Sequence, residues 1–190
     1  KARAIDDIER VVITCPEAHL ESTRELLANH RFGPKFECIL GGASRQESVY
    51  NGLVALGGID SVIIHEAVRP LITVDTFRTL IDAPDENVMY GIPISFTVIK
   101  GHAYVEGLLD RDELVNVQLP QKFNRVQLLA AHEAARADGR DFTEDASLFF
   151  AYQADKVRIL PGMDHNIKIT VPTDTLTAEA IYADLMARRS

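Results

Sequence analysis

The sequence has no tryptophan and only two cysteines in 190 residues. Two thiols cannot build the disulfide framework of a small secreted domain. Cys15 and Cys38 both lie inside apolar runs and make no metal-ligand spacing, so they read as buried thiols in a reducing compartment, and a cytoplasmic location is expected. Basic residues are also in deficit, 20 against 28 acidic, for a formal charge of −8. A nucleic-acid binder usually shows the opposite balance, so no nucleic-acid partner is expected. Any phosphate should be met at a local site rather than across a broad basic face. No apolar run reaches the ~20 residues of a membrane helix. The opening stretch, KARAIDDIER, is too polar for a signal peptide, and no membrane partner is expected. There is no repeat, low-complexity tract or long linker. What is present is average for a globular domain, 46% hydrophobic and 25% charged residues, enough for one continuous core over residues 1–190.

Hydrophobic patterning predicts alternating strands and helices. Short β-branched or apolar runs at Ile8–Thr14, Phe36–Leu40, Ser61–His65 and Asn87–Ser95 predict buried strands. Helical spacing separates them at Glu17–His30, Ser44–Leu56 and Val74–Ile81. The alternation argues for a mostly parallel sheet with helices on both faces. It breaks at Thr97–Gln118, where short pieces without helical period predict an antiparallel arm. A helix at about Asn124–Ala137, strands at Lys156–Leu160 and Asn166–Thr170, and a helix at Thr173–Arg188 complete the expected order. Thr143, Glu144 and Asp145 have helix-start chemistry ahead of ASLFF. His19, His30 and His132 lie on predicted helices with no partner at ligand spacing and read as solvated.

In an open α/β sheet, ligands bind beyond the carboxyl ends of the strands. Three such ends carry unusual residues. GGASRQES, residues 41–48, puts two glycines before a helix whose N-terminal N–H groups and dipole favour an anion. The same residues also fit a plain turn with Ser44 as N-cap. HEAVRP, residues 65–70, sets Glu66 three residues before Arg69, suited to a metal ion beside an anion, or to an ordinary surface ion pair. MDHNIKIT, residues 163–170, embeds Lys168 in an apolar run, where an unpaired ammonium is costly to bury. That lysine points at a phosphate or carboxylate, unless the strand is an edge strand with Lys168 facing water. Asp164, His165 and Asn166 just before it suit oxygen-ligand metal binding, and whether Asp164 or Asn166 assists a metal stays open.

GGASRQESVYNGL resembles the GG-x-x-R-x-x-SV-x-NGL segment of cytidylyltransferases that act on sugar-alcohol phosphates. These are the 2-C-methyl-D-erythritol 4-phosphate cytidylyltransferases and their ribitol-5-phosphate relatives. Further segments follow in the family's order: VIIHEAVRP for VLVHDAARP, IPISFTVIK for VPVTDTIK, LLDRDELVNVQLPQKF for TVDR…TPQ-x-F, TEDASL for TDDAS, and NIKIT for NIKVT. The resemblance spans residues 41–175. It implies a Rossmann-like nucleotidyltransferase fold with a protruding β-arm, at about residues 97–118, that clasps a second subunit.

The implied reaction joins CTP and a polyol phosphate to give a CDP-polyol and pyrophosphate, with Mg²⁺. The expected acceptor is 2-C-methyl-D-erythritol 4-phosphate, in isoprenoid precursor synthesis. A ribitol-5-phosphate enzyme of cell-surface polymer synthesis, or a non-catalytic nucleotide-binding domain, are the alternatives. On the same resemblance Gly42, Arg45 and Ser48 contact cytidine and Glu66 stands at the metal-linked carboxylate. Arg69, Thr97 and Arg111 hold the acceptor phosphate, Arg111 from across the dimer, and Lys168 steadies the phosphates. The family's LAAG-x-G-x-R loop and PKQ segment are not found in these 190 residues, so the first strand and glycine-rich loop are expected to be missing from this chain. Phe96 stands for the usual Asp, Leu119 for the Thr of TPQ, and Glu66 for Asp.

Overall fold

The computed structural model describes residues 1–188. The chain forms two compact units, the first of Lys1–Ile64, Thr73–Val88 and Gln121–Arg158, the second of His65–Ile72, Met89–Pro120 and the residues from Ile159 on. The α/β class expected from the sequence is what is observed.

In the first unit, β1 (Val11–Cys15) and β2 (Phe36–Leu40) pair in parallel through α1 (Glu17–Asn29), from Val11 opposite Phe36 to Cys15 opposite Leu40. This is the strand–helix–strand unit that the alternation predicts. Between the two strands the Cys15 and Cys38 sulfurs lie 3.1 Å apart, both as free thiols. Burial, then the hydrogen bond to Cys15, pushes the Cys38 thiol up to about 11. It is a thiol rather than a thiolate at neutral pH.

β2 leads into α2 (Arg45–Ala55), β3 (Ser61–Ile64) and α3 (Val74–Asp82), whose Thr73 N-cap oxygen accepts the Thr76 N–H at 3.2 Å. α4 (Arg125–Ala137) and α5 (Asp145–Tyr152) complete this unit. Its core gathers Leu53, Val62, Leu80, Phe123, Leu128 and Phe149, all nearly inaccessible to solvent.

β4 (Val88–Pro93) lies between β7 (Val115–Asn124) and β8 (Arg158–Pro161); the second unit holds β4 from Met89, β7 as far as Pro120, β8 from Ile159 and α6 (Pro172–Ala187). The arm is a two-stranded hairpin of β5 (Ile99–Gly101) and β6 (Val105–Leu108). Gly101, at φ +147°, sits where the register slips, and a Cβ there would fall 2.0 Å from the Tyr104 carbonyl oxygen. Among the described residues no helix is long and apolar enough to cross a membrane.

Three expectations are corrected. The arm pattern does not stop at Gln118: β7 runs on through Pro120 to Asn124, and its last residues pair antiparallel with β3, Ser61 opposite Asn124 and Ile64 opposite Gln121. Proline reads as a strand breaker in the sequence, but only one ladder donor is lost at Pro120. The strand expected at Asn166–Thr170 does not form. Its amides are used elsewhere: Asn166 N–H donates to Met163 O (3.0 Å), Ile169 N–H to Val68 O (2.8 Å) and Thr170 N–H to the Asp174 carboxylate (2.7 Å). His132 is not solvated but fully buried, whereas His19 and His30 are exposed as expected.

Candidate active site

In the first unit, the loop between β2 and α2 is held by its own side chains. Gly41 N–H donates to Cys15 O (2.8 Å), Gly42 N–H to Ser48 Oγ (2.9 Å) and Ala43 N–H to a Glu47 carboxylate oxygen (2.7 Å). Ser44 caps α2 by accepting the Glu47 N–H at 3.1 Å, and the Ser48 hydroxyl donates back to Ser44 O at 2.9 Å. Gly42 admits no side chain, because a Cβ would sit 2.2 Å from Glu47 Cγ. The turn reading and the ligand reading therefore meet in one loop. Three amides that the sequence offers to an anion are already engaged within the protein, and Ser48 is a brace of the loop.

Behind this loop lies a charged group that sequence reasoning missed. Arg45 donates from Nη2 to Asp145 Oδ2 at 2.7 Å, and the other Asp145 oxygen is 3.3 Å from His132 Nε2. Asp145 is 1% exposed and His132 is fully buried. Burial works to raise the Asp145 carboxyl, but the contact with His132 and the Arg45 guanidinium outweigh it and hold the group below its ordinary value. Gln46 completes the arrangement, donating to Arg140 O (3.1 Å) and accepting the Phe142 N–H (2.7 Å). An aspartate at the head of the apolar run ASLFF was the available signal.

In the second unit, two of the strand ends singled out in the sequence come together. Glu66 accepts from Arg69 Nε at 3.3 Å on one oxygen and from Lys168 Nζ at 3.2 Å on the other, across 102 positions of chain. The surface-pair reading fails at Glu66–Arg69, whereas Lys168 does face water in part. The Glu66 and Arg69 side chains are only 15% and 12% exposed, so this is not a surface pair, and Lys168 reaches a carboxylate although it is partly in water. Arg69 is further fixed by donating from Nη1 to Asn166 O at 2.8 Å, and Asn166 donates its own amide to Leu119 O at 2.6 Å. A cavity of about 320 Å³ opens beside this cluster, lined by Arg69, Asn116, Gln118, Asp164 and Lys168 among others.

Thr97 and Arg111 stand outside the cluster's bonds. Thr97 is exposed ahead of β5, and Arg111, half in water, reaches Ser95 O at 3.5 Å. Phe96 is 78% exposed and Leu119 is buried.

The metal expectation meets a sparse donor set. No group of three metal-ligating side chains exists among the described residues. Asn166 is fully buried with its amide on Leu119, whereas Asp164 is exposed at the cavity. One carboxylate, Glu66, remains at the centre. Mg²⁺ commonly keeps its waters and takes one or two carboxylates plus substrate phosphates, so this donor chemistry fits it.

The model of the family described as "IspD: 2-C-methyl-D-erythritol 4-phosphate cytidylyltransferase" matches residues 2–184. The chain belongs to that family. Among individual cytidylyltransferases of this name, the one from Geobacillus kaustophilus is 39% identical over 184 residues, covering 94% of this chain and 79% of the relative. That from Solibacter usitatus is 35% identical over 196 residues, covering 99% and 80%. The crystal structure of 4-diphosphocytidyl-2C-methyl-D-erythritol synthase from Anaerococcus prevotii superposes with a TM-score of 0.85 at 26% identity, over 95% of this chain and 81% of that one. Agreement at that level over nearly the whole chain extends to the Rossmann-like fold of the cytidylyltransferases.

Proposed function

We propose that this protein transfers the cytidylyl group of CTP to 2-C-methyl-D-erythritol 4-phosphate in the synthesis of isoprenoid precursors. An acceptor phosphate oxygen attacks the α-phosphorus of CTP, the bond to the β-phosphate oxygen breaks, and pyrophosphate leaves. The nucleophile is already anionic at neutral pH, so no general base is needed, and positioning and charge neutralisation do most of the work. The observation that carries this reading is the Glu66–Arg69–Lys168 cluster at its cavity, in a chain whose family match runs from residue 2 to 184.

Lys168 meets the charge that grows at the α-phosphate. Arg69, with Thr97 and Arg111, grips the acceptor phosphate, and Arg45 serves the nucleotide together with the loop that Gly42 and Ser48 shape. Glu66 would hold Mg²⁺, whose charge offsets that of the triphosphate. We place the reaction in the cytoplasm, where CTP is made and used. Pyrophosphate release from full-length protein with CTP, Mg²⁺ and either acceptor tests the proposal. Release with the methylerythritol phosphate is expected. Release only with ribitol 5-phosphate would overturn the acceptor, and none with either would overturn the function.

The homodimer belongs to the same proposal. The hairpin leaves Ile99, Tyr104, Val105 and Leu108 between 49% and 84% exposed, and a lone two-stranded hairpin does not hold such residues in water. A second copy's arm covers them, and sedimentation at micromolar concentration should show a dimer; only monomer would count against it. Arg111 then acts in the partner's site. Its planar fork suits a phosphate in a way that lysine does not. Arg111→Ala should raise the acceptor KM by at least about tenfold while the CTP KM moves by less than about twofold. Equal movement of both constants would remove Arg111 from the acceptor subsite.

A further inference from the structure

Asp145 and His132, both buried beside Arg45, have no part in the chemistry above. The Asp145 carboxylate is not a helix cap. Glu144 does that work, accepting the Ala146 N–H at 2.9 Å and the Ser147 N–H as well. A buried carboxylate is expensive unless it is paired, and packing alone would be served as well by an apolar residue of similar size. Asp145 instead joins the start of α5 to the first helical residue of α2, immediately after the Ser44 cap. The neighbouring residue repeats the connection, since Gln46 takes both Arg140 O and the Phe142 N–H. The segment 140–145 is thus latched to the first turn of α2 by a charge pair and two amide hydrogen bonds. The loop Gly41–Ser48 in turn depends on that first turn, because Glu47 and Ser48 hold Gly42 and Ala43.

We propose that Asp145 is a positioning residue for the nucleotide: by fixing Arg45 against α5 it sets the conformation of the Gly41–Ser48 loop, and with it the affinity for CTP. The inference rests on the reading of that loop as the nucleotide side of the site. Asparagine at this position keeps the shape and removes the charge that holds the guanidinium. A change felt through Arg45 must appear in the handling of CTP alone, and must vanish once Arg45 no longer carries its charge.

The experiment compares wild type, Asp145→Asn, Arg45→Gln and the double variant, by steady-state kinetics and by calorimetric titration with CTP and Mg²⁺. Asp145→Asn should weaken CTP binding and raise the CTP KM by about tenfold or more, with the acceptor KM within about twofold. The double variant should be no worse than Arg45→Gln. Equal shifts of both KM values, an unchanged CTP constant, or losses that multiply in the double variant would each overturn the proposal. Should Asp145→Asn not fold, Arg45→Lys decides by the same split, because lysine keeps the charge and loses the fork. Wild type that binds CTP yet makes no product would defeat the reading of the function while the titration still tests the latch. Wild type that does not bind CTP would defeat the latch too.

Discussion

Lys168→Ala should lower kcat by on the order of 10²–10³, the usual loss when one well-placed donor to developing charge is removed. The role proposed for Lys168 gives the reason for a kcat effect. The Lys168 ammonium is partly exposed at the cavity and, among the described residues, pairs with Glu66 at 3.2 Å, which leaves it free to turn to a more highly charged partner in the proposed transfer. Its contribution to ground-state binding is modest because water already solvates it. Both KM values should therefore stay within about threefold, and single-turnover rates should fall in parallel with kcat. The fold should not suffer, since Glu66 keeps its contact with Arg69. A variant with kcat within about threefold of wild type, or one that loses only acceptor affinity, would take Lys168 out of the role assigned to it.

The second large effect is on stability. Phe149→Ala in α5 should cost about 3–5 kcal/mol, as large-to-small changes at fully buried aromatics do. Phe149 is inaccessible to solvent and its ring centroid lies 5.4 Å from that of Phe123 in β7, so one truncation empties a site shared by a helix and a strand of the same core. Urea unfolding should show the midpoint falling with the slope unchanged. A loss below about 1 kcal/mol would mean that the neighbours close the gap. The consequence reaches the candidate site because α5 also carries Asp145.

The parts legible in the sequence were those with a local cause. Ser44 capping α2, the glycine at residue 42 and the helix start at Thr143–Asp145 each follow from a few neighbouring residues. Glu66, Arg69 and Lys168 were each visible as charges in apolar settings, and their meeting became visible only when chain segments 102 positions apart were folded. What escaped had a remote cause. NIKIT has strand alternation, but its amides are taken by Met163, Val68 and Asp174, and no local pattern reveals that competition. His132 looked like any helix-surface histidine because the carboxylate it meets lies thirteen positions on, in another helix. The arm pattern ends at Gln118 because alternation is read locally, whereas the pairing of the rest of β7 with β3 is a long-range fact.

The arrangement of Glu66 has one more consequence. Before any ligand arrives, this carboxylate is the resident counter-ion of both Arg69 and Lys168. Under the proposed assignment of Arg69 to the acceptor, entry of its phosphate is an exchange of anions, and the incoming group must outbid a monoanion that is already in place. A phosphate monoester near neutral pH carries close to two charges and several acceptor oxygens, and it wins that exchange. A polyol without its phosphate has nothing to offer in return, and a carboxylate offers only what is there already. Under that assignment, selectivity for phosphorylated acceptors would be built into the resting state of the site, as a threshold that neutral look-alikes do not cross. The Glu66 oxygens released by that exchange would be the ones to hold Mg²⁺.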